Sequence, residues 1–246
     1  MLVVRFRIGG RLRFLSHAQT LRVFQRACVR AGLKIQYSQG FNPRPKLSLP
    51  LPRPVGVASD DELLSLRCST ARCPPQGVPF RTAEILDTSA FAEATADKRC
   101  SMLNGRSDLC DLVKATLSKQ LPEGCELLSV NVAQPGTSFQ PCSATYVLTV
   151  QQEYLNEQLK DTIERLLASE SISVQRQIDK RNSRIKNIDV RGFLESIELD
   201  RDGIIVECKI SSAGSIRVDE ILKLLELDVE KLASPIRRTS VQWKSN

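Results

Sequence analysis

The chain opens with Leu2-Val3-Val4-Arg5-Phe6-Arg7-Ile8-Gly9-Gly10-Arg11-Leu12-Arg13-Phe14-Leu15-Ser16-His17. Leu2, Val4, Phe6 and Ile8 alternate with Val3, Arg5 and Arg7, the period of a strand buried on one face. Gly9-Gly10 offers a tight turn, and Leu12 and Phe14 alternating with Arg11 and Arg13 predict a short return segment. Arg5, Arg7, Arg11 and Arg13 would then share a strand face, while Phe14 would join the core. Ser16 with Gln19 reads as a capping box, and Leu21, Phe24, Ala27, Cys28 and Ala31 recur at helical spacing before Gly32 ends the run. On the other side of that helix Arg22, Arg26 and Arg30 stand four residues apart, three guanidinium groups along one ridge.

Beyond the helix, Lys34–Ser38 reads as a second strand. Gln39-Gly40-Phe41-Asn42-Pro43-Arg44-Pro45 then breaks every periodicity with two prolines and a glycine. Leu47–Leu51 reads as extended and Glu62–Cys68 as a further strand. Ser69–Ser107 carries no periodic apolar face and reads as an insertion. Leu109, Leu112, Val113, Thr116, Leu117 and Leu121 restore a helical stripe that Pro122 and Gly124 close, and Glu126–Val132 is strand-like. The second half repeats the order, with strands at Thr145–Val150, Ile172–Ile178, Phe193–Leu199, Ile204–Ile210 and Ile236–Trp243 and helices at Glu153–Ala168 and Val218–Leu225. Asp202-Gly203 marks a hairpin. The expectation is an α+β chain of two tandem ferredoxin-like (split βαβ) units with antiparallel sheets, one over residues 1–133 with the insertion at 69–107 and one over 143–246.

Of 246 residues, 41% are hydrophobic and 26% charged, an ordinary globular composition that excludes collagen-like and wholly disordered chains. No apolar run approaches the ~20 residues of a membrane span, and the start has no signal-peptide pattern, so a soluble cytoplasmic protein is expected. Eight cysteines are scattered without a Cys-x-x-Cys pair and read as small apolar core residues. No close trio of thiolates stands ready for an iron–sulfur cluster, so no metal and no cofactor is expected in this chain.

The net charge of +7 is unevenly placed. Residues 1–59 hold eleven Arg and Lys and not one Asp or Glu, whereas residues 60–246 hold 24 basic and 28 acidic groups. A field of one sign attracts polyanions. Tyr37 and Phe41, interleaved with these cations, offer flat faces on which unpaired bases stack. The candidate nucleic-acid-binding set is therefore Arg5, Arg7, Arg11, Arg13, Arg22, Arg26, Tyr37, Phe41, Arg44 and Lys46, with Gly40–Lys46 as a stiff centre. Lys180, Arg181, Arg184, Lys186 and Arg191 form a second basic run, read as a solvated hairpin or an auxiliary phosphate clamp. Arg237-Arg238 could serve either as structure or as contact.

Arg13-Phe14-Leu15-Ser16-His17 followed by Tyr37-Ser38-Gln39-Gly40-Phe41-Asn42-Pro43-Arg44-Pro45-Lys46-Leu47-Ser48 resembles a bacterial radical-SAM-linked domain family of unknown function. Gly214-Ser215-Ile216-Arg217-Val218-Asp219-Glu220-Ile221-Leu222 and Ile236-Arg237-Arg238-Thr239-Ser240 resemble the same family. Its usual acidic residue two positions after the histidine is Gln19 here, which argues against a His–carboxylate pair. The resemblance implies a radical SAM enzyme as partner, with the iron–sulfur cluster and S-adenosylmethionine held by that partner.

His17, the single histidine, falls at the first turn of a helix. It could contact phosphate, act as general acid or base, or merely cap the helix and bond a loop carbonyl. Three functions follow as expectations: a non-catalytic accessory that binds RNA or another polyanionic substrate for a radical SAM enzyme; a metal-free endoribonuclease with His17 as base; and a structural interaction domain without salt-sensitive nucleic-acid binding.

Overall fold

In the computed structural model of the chain, residues 1–68, 106–134, 136–179 and 184–245 are described. Nearly all of the expected insertion at Ser69–Ser107, and Lys180 and Arg181 of the second basic run, lie outside the described residues. The fold is mixed α+β, with four α-helices among the described residues and mostly antiparallel pairing. Two compact units draw on interleaved segments: unit 1 takes Met1–Arg7, His17–Leu49 and Leu63–Thr137, and unit 2 takes Ile8–Ser16, Pro50–Glu62 and Ser138–Asn246.

In unit 1, strand β1 (Leu2–Ile8) buries Leu2, Val4 and Phe6 while Arg5 and Arg7 face solvent, as its alternation predicts, but Val3, on the same face as the two arginines, is buried as well. Helix α1 (His17–Arg30) sets Phe24 edge-on against Phe6, ring centroids 4.5 Å apart, and so docks on the strand. Gly32 at φ +72° ends α1, with Leu33 N–H donating to the Cys28 carbonyl and Gly32 N–H to that of Val29. Strand β2 is only Leu47–Ser48, paired with the end of β3 (Ala58–Leu66), a strand divided between the units. Helix α2 (Arg106–Ser118) and strand β4 (Cys125–Val132) complete the unit, in strand order β4-β1-β3.

Unit 2 comprises β5 (Phe139–Thr149), α3 (Glu157–Ala168), β6 (Ser173–Asp179), β7 (Arg184–Asp189), β8 (Leu194–Asp200), β9 (Gly203–Lys209), α4 (Val218–Leu224) and β10 (Arg237–Ser245). Its strand order is β3-β10-β5-β9-β8, while β6 and β7 form a separate two-stranded sheet. β10 runs antiparallel to β5 but parallel to β3, matching Arg237 with Ala58 and Arg238 with Ser59. Ala144, Tyr146, Leu148, Ile204 and Val206 from the sheet are buried with Leu159 and Ile163 of α3 and Ile221 and Leu222 of α4 in one core.

Several expectations are corrected. Gly10–Phe14 is a 3₁₀ helix rather than a returning strand, so Arg11 and Arg13 share no strand face with Arg5 and Arg7. Phe14 is 57% exposed and not core. The cause is local: Gly10 takes φ +55° and Leu12 N–H closes onto the Gly9 carbonyl, which curls the backbone before any ladder can form. Lys34–Ser38 makes only single bridges, Ile35 with Cys68 and Tyr37 with Pro45. β3 begins at Ala58 and contains the acidic run Asp60-Asp61-Glu62, where strand propensity is low. Arg184–Asp189, within the second basic run and not among the expected strands, is strand β7, paired antiparallel with β6. Gly203 is needed less by its turn than by β5, since a Cβ there would lie 2.1 Å from the Leu148 carbonyl oxygen.

The β6–β7 hairpin is tied to α4 by Arg176, whose Nε and Nη2 donate to the two Glu220 carboxylate oxygens at 2.6 and 2.7 Å. Nη2 also reaches the Ser215 carbonyl at 2.7 Å, and the Arg217 N–H donates to Glu220 Oε2. Burial pushes the Glu220 carboxyl up, but the Arg176 and Arg217 donors outweigh it and hold it below the usual carboxylate range. A depressed folded-state pKa contributes stability that is complete at neutral pH and is lost as pH falls through the carboxylate range toward the folded value. Glu220→Gln should therefore melt lower at pH 7 yet lose less on acidification than the parent. Thermal melts between pH 7 and pH 3 check this, and parallel acid limbs would refute it.

Candidate nucleic-acid interface

The segment Gln36–Lys46 has no regular element, yet its backbone is closely tied. Ser38 N–H donates to the Arg44 carbonyl at 2.8 Å, and Arg44 N–H returns a bond to Ser38 Oγ at 2.9 Å. Below that closure Lys46 N–H donates to the Gln36 carbonyl at 2.7 Å, and Arg67 N–H to the Lys46 carbonyl at 3.0 Å. Gln36 N–H donates to the Arg67 carbonyl at 2.8 Å, so both stems of the loop are bonded to the residue just after β3. Gly40 at φ +125° makes the bend that an L side chain rarely allows. Pro43 and Pro45 remove torsional freedom on the return side.

This frame holds Phe41 fully in solvent, at 106% relative exposure, with Tyr37 at 42%. Arg44 and Lys46 are exposed on the same loop. An apolar ring fully in solvent on a tied backbone contributes nothing to folding and is free to stack. Arg22 and Arg26 are exposed on α1, and Arg5 and Arg7 on β1, all within unit 1. Arg7 meets Glu126 at 3.4 Å in a half-exposed pair of small energetic weight.

Arg11 and Arg13 belong to unit 2. Arg13 lies over its neighbour Phe14, 4.4 Å from the ring centroid, and donates to the Gly10 carbonyl at 3.0 Å. Arg53, counted among the eleven early cations, has a structural role instead. Its Nη1 donates to the Arg13 and Val57 carbonyls at 2.7 and 2.5 Å, and its Nη2 to those of Leu12 and Leu15 at 3.2 Å each. One guanidinium thereby satisfies the 3₁₀ turn's carbonyls, which composition does not disclose. Arg191 is likewise structural, donating to the carbonyls of Leu167, Ser169 and Leu194, two of them at the C-terminal end of α3. Of the second run, Lys186 is exposed on β7.

His17 begins α1, and its Nδ1 is buried without a hydrogen-bond partner. The thiols of Cys28 and Cys208 are pushed up to about 12, chiefly by burial, which suits inert core cysteines. Among the described residues no three His, Cys, Asp or Glu side chains gather in a way that could hold a metal ion. Among those residues, too, no helix is long and apolar enough to cross a membrane.

The site is a basic, aromatic-bearing surface on an α+β scaffold. Residues 1–87 and 106–223 match the model of a family described as "Uncharacterized protein conserved in bacteria (DUF2344)", and the chain belongs to that family. No curated protein matches the chain.

Proposed function

We propose that the chain is a non-catalytic accessory that binds single-stranded RNA, or a chemically similar polyanion, for a partner enzyme. The observation that carries this is Phe41, fully exposed on a loop whose two stems are hydrogen-bonded, with Arg44 and Lys46 beside it. Stacking and charge on a pre-ordered backbone lose little entropy on binding. The radical SAM partner rests on the sequence resemblance described above, and a cytoplasmic setting is proposed with it. The strand orders β4-β1-β3, with β2 on β3, and β10-β5-β9-β8 support reading the chain as two tandem ferredoxin-like units, the second interrupted by the β6–β7 hairpin.

Binding of a labelled single-stranded RNA to the whole chain should weaken steeply with salt. For about six neutralised phosphates on a single strand the log–log slope is roughly −4. A slope near zero refutes the phosphate contacts.

A second reading is favoured by the buried, unpartnered His17 Nδ1: an endoribonuclease in which His17 moves a proton. Incubation with the same RNA separates the two, because this alternative requires cleavage that His17→Ala abolishes, and the accessory requires intact RNA.

A further inference from the structure

We infer that unit 2 holds a pocket for one nucleotide, the base seated in a cleft among β5, β9 and the segment before α4, the phosphate at the cations beside it. This deepens the polyanion reading, on which it rests for its choice of ligand. The half-open cleft has a volume of about 290 Å³, just under the ~300–1,000 Å³ found for ligand sites, which suits one ring system rather than a large ligand. Ala144, Tyr146 and Cys208, all buried on the strands, line it together with Leu51–Pro54 and Ser215–Asp219.

The chemistry of those linings matches a base better than an aliphatic chain. Pro52, Pro54 and Ile216 give rigid apolar surface for a flat ring. Ser215, Arg217 and Asp219 place donors and a carboxylate acceptor within one short stretch, the combination that reads the polar edge of a base. The pocket is also pre-ordered. Arg53 lines it and at the same time holds the carbonyls of Leu12, Arg13 and Leu15, so the Leu51–Pro54 wall is fastened to the turn that carries Arg11 and Arg13. Arg53 and the exposed Arg217 put positive charge in the lining of the cleft, while Asp219 is the acidic residue there. An anionic planar ligand answers both features. Cys208, with its thiol held protonated by burial, serves as surface and not as nucleophile.

The test uses the whole chain and a panel of the four ribonucleoside 5′-monophosphates, with binding read by calorimetry and by shift of the melting temperature. At least one should bind, and Ser215→Trp, which fills the rim without touching the backbone carbonyl that Arg176 uses, should weaken it at least about tenfold. Arg217→Ala and Asp219→Ala, both at exposed positions, should weaken it in the same direction and keep the parent melting temperature without ligand. Binding of a 20-nucleotide RNA is measured on the same samples. Long RNA bound with no mononucleotide bound, or with mononucleotide affinity unchanged in all three variants, overturns the pocket and leaves the polyanion reading standing. Mononucleotide bound and lost in the variants, with no affinity for long RNA, keeps the pocket and overturns that reading. Silence from both ligands overturns both.

Discussion

Glu62→Leu should cost about 3–5 kcal/mol of stability, because it strands a charge in the interior of unit 2. Arg238 is fully buried at 0% exposure, Glu62 is 3% exposed, and the Arg238 guanidinium Nη2 donates to Glu62 Oε1. Nε and Nη1 of Arg238 have no hydrogen-bond partner, so Glu62 is the main compensation for the buried cation. Tyr146, opposite Arg238 across β5 and β10, cannot replace Glu62 as a counter-charge, since burial pushes its phenol up and the neighbouring guanidinium only offsets part of that. For a chain of this length the loss corresponds to a melting temperature lower by about 6–20 °C. The double variant Glu62→Leu with Arg238→Met should recover most of it, since a well-packed apolar pair avoids the desolvation of two ions. Thermal melts of both variants check this. A single variant that melts within a degree or two of the parent would mean that water reaches Arg238.

The same pair shows what was legible in the sequence and what was not. β1 and α1 could be read because their apolar residues repeat at periods of two and 3.6, and Gly32 stops α1 where the left-handed backbone begins. Arg237-Arg238 and Asp60-Asp61-Glu62 could not be matched from either end. They meet only because β10 lies parallel to β3, where Arg237 also reaches Asp60 at 2.5 Å, and residues 176 positions apart leave no local trace. An acidic triplet also looks like a loop until its partners are known. The early cations could not be told apart by role in the sequence for the same reason. Arg53 and Arg44 are alike in sequence, but one is spent on backbone carbonyls while the other stands on an exposed loop. The loop itself was legible, since Gly40 permits a positive-φ bend and the two prolines restrict the backbone locally. The cleft was not, because its lining comes from distant segments of the chain.

Phe41→Ala and Arg44→Ala should together weaken single-stranded RNA binding by roughly 100-fold or more while leaving the melting temperature unchanged. Loss of one base–aromatic stack is worth about 1–3 kcal/mol. Loss of a charged hydrogen-bond donor at the same site costs about 1.5–3 kcal/mol. Neither side chain has core contacts to lose: Phe41 is wholly in solvent, and the loop is closed by backbone bonds between Ser38 and Arg44 that an alanine at 44 retains. The two variants should differ in character. Phe41→Ala removes a flat face, which only unpaired bases can use, so its effect on duplex RNA should be small. Arg44→Ala removes charge, so it should weaken single strands and duplexes alike and make the salt slope shallower by about one unit or less. Gel-shift or anisotropy titrations of both variants against both RNA forms at two salt concentrations resolve these effects. Parent-like affinity with a melting temperature several degrees lower would make the loop a structural brace and remove it from the binding surface.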